Sequence, residues 1–127
     1  MKIEQSEVEI NGVKYVKASA VINKLQVNLE GLKMYMIRTY SAGVHFGYLS
    51  REESTLAGME VTLLNARRVW SWAGAASLSQ LAMCGTTKPD KCKMPCEVTS
   101  IDLVAIEKIP MTVMAVDSLK KVKIWQE

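Results

Sequence analysis

The sequence predicts an α+β fold, a mostly antiparallel β-sheet or small barrel with two or three short helices. Three observations carry this. Several short runs, Met59–Leu64 among them, alternate apolar and polar residues with the period of two that a half-buried strand requires. The runs lie too close together for βαβ crossovers, which argues against a parallel sheet. Ser77–Gly85, by contrast, holds apolar residues at helical spacing between a start signal and a stop signal.

At 127 residues the chain suits a single core. Hydrophobic residues make up 49% and charged residues 23%, a globular rather than a disordered balance. The net charge of +3 admits an anionic ligand. It falls short of the basic footprint of a protein that coats long nucleic acid or of a polybasic membrane anchor. No apolar run approaches the roughly 18 residues of a membrane span. Met1–Glu7 is too polar for a signal peptide, so a reducing cytoplasm is expected, with Cys84, Cys92 and Cys96 as free thiols.

In chain order, Val8–Ile10 and Val13–Val16 flank Asn11-Gly12, a hairpin turn signal because both turn positions need positive φ. Ser19 can cap a short helix over Ala20–Leu25, or that segment continues as strand. Residues 1–31 therefore read as an N-terminal β-hairpin appendage, and 32–127 as the core domain. Leu32–Tyr40 is a strand. Ser41-Ala42-Gly43 breaks or bulges it, and Val44–Ser50 resumes. Gly43 and Gly47 mark a bulge or a close backbone approach. Arg51–Gly58 reads as a polar connector. Met59–Leu64 and Arg67–Trp72 are strand, with a turn or bulge at Asn65-Ala66. Alternation places Arg68, Trp70 and Trp72 on one side and Arg67, Val69 and Ser71 on the other.

Ser77 and Gln80 form a capping box for a helix whose stripe is Leu78, Leu81 and Ala82, ended by Gly85. Thr86–Cys96 is a lysine-bearing loop shaped by Pro89 and Pro95. Glu97–Ile109 is the longest strand, with Val98, Ile101, Leu103, Val104, Ala105 and Ile106 as expected core residues. Thr112 caps a last helix through Leu119, and Val122–Trp125 is expected to return to the sheet edge.

Three stretches carry a resemblance: Met34–Val44, Asn65–Trp72 and Gly74–Ala82. Together they resemble a family of short phage and prophage proteins of unknown function, across about three quarters of the chain. The resemblance implies viral origin. In size and inferred character the chain is also similar to phage anti-defence sponges, oligomers that sequester cyclic nucleotide signals between subunits.

Arg38, Arg67 and Arg68 are three of the four arginines, and all lie within these stretches. Guanidinium forks pair bidentately with phosphate, and indole or phenol rings stack on bases. The candidate ligand-binding set is therefore Arg38, Tyr40, Ser41, Arg67, Arg68, Trp70 and Trp72. Against it stands the plainer reading of core or interface tryptophans and surface arginines. The 40–43 turn offers a phosphate nest or simply a bulge that needs Gly43. His45, the single histidine, reads as structural. The cysteine spacings lack a zinc knuckle. Lys88, Lys91 and Lys93, with Lys120, Lys121 and Lys123, read as solvated clusters able to steer an anion.

No base–nucleophile pair, carboxylate pair or P-loop stands out, so no catalytic residue, metal or cofactor is assigned. The expectation is a non-enzymatic homo-oligomer in the host cytoplasm that sequesters a cyclic or ADP-ribose-type nucleotide. The alternative is a phage structural or assembly protein acting through subunit contacts.

Overall fold

The computed structural model describes residues 24–126. The expected hairpin over Val8–Val16 and most of the 19–25 segment lie outside the described residues. The strands are β1 (Met34–Thr39), β2 (Val44–Thr55), β3 (Gly58–Val69) and β4 (Val98–Pro110). Among the described residues two α-helices accompany them, α1 (Leu78–Cys84) and α2 (Val113–Lys120), with a 3₁₀ turn at Pro89–Lys91. Every strand pair is antiparallel, and β1 and β3 each pair with both β2 and β4, so the hydrogen-bonded order closes on itself. The fold is α+β, with a four-stranded antiparallel sheet.

The strands carry apolar residues on both faces. Ile37, Val61, Leu63, Ala66 and Leu103 pack as one cluster. Met34, Met36, Phe46, Tyr48 and Val69 form a second with Leu81, Ala82, Val116 and Leu119 of the helices. Both helix starts are capped as the sequence predicts. Ser77 Oγ accepts from the Gln80 N–H at 3.1 Å, and Gln80 Oε1 accepts in return from the Ala76 N–H at 2.7 Å. Thr112 Oγ1 accepts from the Ala115 N–H and donates to the Met83 carbonyl, tying the start of α2 to the end of α1. Gly85 ends α1 with φ 77°, and a Cβ there would collide with Ser118.

A bulge in β3 decides which side chains meet the helices. Phe46 stands opposite Arg67 and Tyr48 opposite Leu64, so Asn65 and Ala66 together face Gly47. Asn65 takes φ 50°, the single positive value on a non-glycine among the described residues. Asparagine tolerates this region better than other side chains. A Cβ on Gly47 would lie 3.0 Å from Ala66 Cα and from the Leu64 carbonyl oxygen. The extra residue shifts the alternation by one. Ala66 joins Val61 and Leu63, while Arg67 and Val69 turn toward the helices.

Some elements differ from the sequence reading. Arg51–Thr55 is strand rather than connector, because a tight turn at Leu56-Ala57 returns it directly onto Gly58–Thr62. Arg51 holds that arm by pairing with Glu53 and Glu60, each at 2.9 Å. In β4, Leu103 is buried and Ile101 and Ala105 are partly packed, but Val98, Val104 and Ile106 are exposed. They lie on the face of β4 that points away from Leu103. The 122–125 segment returns to Met94 through a parallel bridge at Ile124, not to the four-stranded sheet.

Arg67 joins these parts. It is 6% exposed. Its Nε donates to the Pro95 carbonyl at 2.8 Å and its Nη1 to Leu119 at 3.1 Å. Its Nη2 donates to Met94 at 2.9 Å and to Val122 at 2.8 Å. The guanidinium is thus enclosed by main-chain oxygens, and burial lowers its pKa from the ordinary arginine value. Its expected role against a ligand phosphate is corrected: four of its donors serve the fold. The reason is the bulge, which turns Arg67 inward. Arg67→Met should destabilise the protein by about 3–5 kcal/mol, because buried carbonyls lose their donors. Arg67→Lys should recover only part of this, since an ammonium cannot span the four oxygens. Urea denaturation of the two variants checks both.

Candidate functional site

Three of the seven candidate residues converge. Ser41, Arg68 and Trp70 line one cavity of about 260 Å³, together with Ala42, Gly43 and Val69. Each arrives there for a local reason. Gly43 takes φ 82°, which lets the chain turn between β1 and β2. Thr39 closes that turn: its Oγ1 donates to the Gly43 carbonyl and accepts from the Ala42 N–H, both at 2.8 Å. The Ala42 N–H is therefore occupied, and the turn presents the Ser41 side chain rather than a row of open amides. Arg68 follows the bulge on β3 opposite His45, one position from Arg67 and pointing the other way. Among the described residues no hydrogen bond or ion pair engages its guanidinium.

Trp70 lies just past the end of β3 and is 60% exposed. Its placement comes from the main chain. The Trp70 and Ser71 N–H groups both donate to the Lys93 carbonyl, at 3.0 and 3.2 Å, and Lys93 returns a bond to Ser71. The Trp125 N–H donates to Met94 at 3.0 Å. The 93–94 pair thereby draws residues 70–71 and the C-terminal segment together. The two indoles stack with centroids 5.9 Å apart and planes at 24°.

The other candidates lie elsewhere. Arg38 Nε is 2.7 Å from Glu107 Oε1 across the β1–β4 pair. Trp72 is partly buried against the larger core cluster rather than sharing the exposed side of Trp70, because the strand ladder ends at Val69. Tyr40 is 91% exposed and lines a second hollow, with Val104 and Ile106, that shares only Ser41 and Ala42 with the first. Trp125 and Lys93, which complete the surroundings of Trp70, are absent from the sequence-derived set. No spacing rule links positions so far apart; the signal available was a tryptophan beside the lysines of the 120–125 segment.

His45 is buried, and its Nε2–H donates to the Ala42 carbonyl at 2.9 Å. Burial lowers its pKa from the ordinary 6.5; the Ala42 bond opposes this, and the positive charge of Arg68 adds to it. The imidazole is therefore neutral where it braces the turn. Among the described residues no group of three or more His, Cys, Asp or Glu is placed to hold a metal ion. No helix among them is long and apolar enough to cross a membrane.

Since the folded pKa of His45 lies below 6.5, the unfolded chain takes up the proton first as pH falls. The stability contributed by neutral His45 is complete above that value and is lost below it. Between about pH 7 and 5 the decline should approach, at most, ~1.4 kcal/mol per unit from this group. His45→Gln should remove this component from the urea midpoint measured across the same range.

No curated protein and no solved structure matches the chain. One family model does, over residues 32–119, which span the four strands, all of α1 and α2 up to its last residue. The chain belongs to the family described as a domain of unknown function, DUF6948.

Proposed function

We propose that this is a phage-encoded binding protein that captures a phosphate-bearing nucleotide immune signal in the host cytoplasm without cleaving it. The observation that carries the reading is the meeting of Arg68, unengaged among the described residues, with the exposed indole of Trp70 in one cavity. A guanidinium beside an aromatic face offers a fork for phosphate and a surface for a base. The Ser41 hydroxyl adds a donor at the rim. The closed order of strands is read as a small barrel whose stiffness holds these groups ready, and His45 braces the turn rather than acting as a base. The reading is capture rather than turnover: affinity comes from stacking and paired charge, and the single histidine, the side chain that would activate the Ser41 hydroxyl, is buried on the Ala42 carbonyl.

Subunit contact is a second element, supported by the exposed apolar side of β4. Val104 and Ile106 lie there with Tyr40 around a hollow of about 420 Å³. Such a face suits a homo-oligomer, which serves either a sponge or a phage assembly protein.

Two measurements separate these roles. Arg68→Ala should keep the wild-type melting temperature within a few degrees and weaken adenosine monophosphate binding, read by tryptophan fluorescence, by at least about tenfold. Unchanged affinity in the folded variant rejects the cavity as the phosphate site. Ile106→Asp should lower the sedimenting mass. If it does so while no nucleotide perturbs the fluorescence of the wild type, the assembly role replaces the capture role.

A further inference from the structure

The Trp70–Trp125 stack has a cavity on each member. Trp70 lines the cavity of Ser41 and Arg68, and Trp125 lines a larger one, of about 600 Å³, with Lys121, Lys123, Ile124 and Asp90. With the indole centroids 5.9 Å apart, the walls of the two cavities meet at the stack. Lys93 places its ammonium over the Trp125 ring, 5.6 Å from the centroid, which adds positive charge at the ridge. Three lysines therefore surround the larger cavity or its aromatic wall, against the one carboxylate, of Asp90, that lines it among the described residues. The Trp125 wall is held firmly, through its N–H to Met94 and through the buried guanidinium of Arg67 on the Met94 and Val122 carbonyls.

The volumes bear on what fits. A cavity of about 260 Å³ is below the usual size of a site that encloses a whole nucleotide, roughly 300–1,000 Å³, whereas the cavity beside Trp125 falls within it. One phosphate on Arg68 leaves the lysines of the second cavity without an anion. A ligand with two phosphates separated by a nucleoside would use both.

From this two-lobed arrangement we infer that the ligand is a dinucleotide, one phosphate held by Arg68 and Ser41 beside Trp70, the second nucleotide seated beside Trp125 with its phosphate on Lys121 and Lys123. This rests on the nucleotide-capture reading and extends it by assigning a second subsite. It also gives Trp125 a role: backed by Lys93 on its ring, it supports the stacking face of Trp70 as the dividing wall between the two halves.

The test compares adenosine monophosphate with the linear 5′-phosphorylated dinucleotide pApA, by tryptophan fluorescence at fixed ionic strength. The wild-type protein should bind pApA at least about tenfold more tightly than the mononucleotide, with a steeper dependence on salt. Lys121→Ala/Lys123→Ala should erase that preference and leave mononucleotide affinity within about twofold. Lys121→Arg/Lys123→Arg should retain it. Thermal melts of both double variants verify that these exposed positions leave the fold intact. Equal affinity of the wild type for the two probes overturns the second subsite, as does a preference that survives the double alanine change. In either case, mononucleotide binding that is lost in Arg68→Ala keeps the first subsite. If neither probe binds the wild type, both assignments fall together.

Discussion

One buried cation anchors the segment ahead of β4 and the stretch from the end of α2 to Trp125. Arg67 donates to carbonyls of the 94–95 segment, the last turn of α2 and residue 122, so two stretches far apart in sequence, 94–95 and 119–122, converge on one side chain. A guanidinium suits the position because its planar donors reach several acceptors at once, and because a helix C-terminus presents unpaired carbonyls to positive charge. An apolar residue of the same volume would take the guanidinium donor from the Pro95 and Val122 carbonyls and one of two donors from Met94 and Leu119. Because Met94 is fixed this way, its backbone can in turn hold Trp125, and Lys93 beside it can hold Trp70 and Ser71. The aromatic pair on the surface is thus a product of the charge beneath it.

That charge reaches its place through a local departure from regular strand geometry. Asn65 at positive φ and the missing side chain of Gly47 let two residues of β3 stand opposite one of β2. From that point the strand presents its faces in reverse. Two adjacent arginines with the same chemistry consequently acquire opposite roles, Arg67 enclosed by main-chain oxygens and Arg68 at the cavity beside Ser41. The turn through Gly43 and the buried, neutral His45 then set the floor against which Arg68 lies.

Much of this frame was legible in the sequence where the signal is local. The caps at Ser77 and Thr112, the stop at Gly85, and the irregularities at Gly43, Gly47 and Asn65 each follow from backbone requirements within a few residues. The division of labour between Arg67 and Arg68 was not legible, because it depends on a bulge whose effect on alternation only the paired strand makes definite. Trp72 was misplaced for a related reason: alternation was extended past Val69, where the ladder ends. In β4, Val104 and Ile106 look like core residues by composition, yet the strand has one buried face there, centred on Leu103. The pairing of Trp70 with Trp125 arises from the 93–94 segment between them, a tertiary arrangement that no spacing encodes.

The anchorage of the C-terminal segment has a consequence for how the molecule opens. Because the Val122 carbonyl shares Nη2 of Arg67 with Met94, the segment bearing Trp125 cannot peel away without exposing the same guanidinium that secures the end of α2. Terminal residues of a domain ordinarily fray at little free-energy cost. Here the amide of Trp125 should exchange with the slow cooperative unit of the interior, although its side chain lies at the surface.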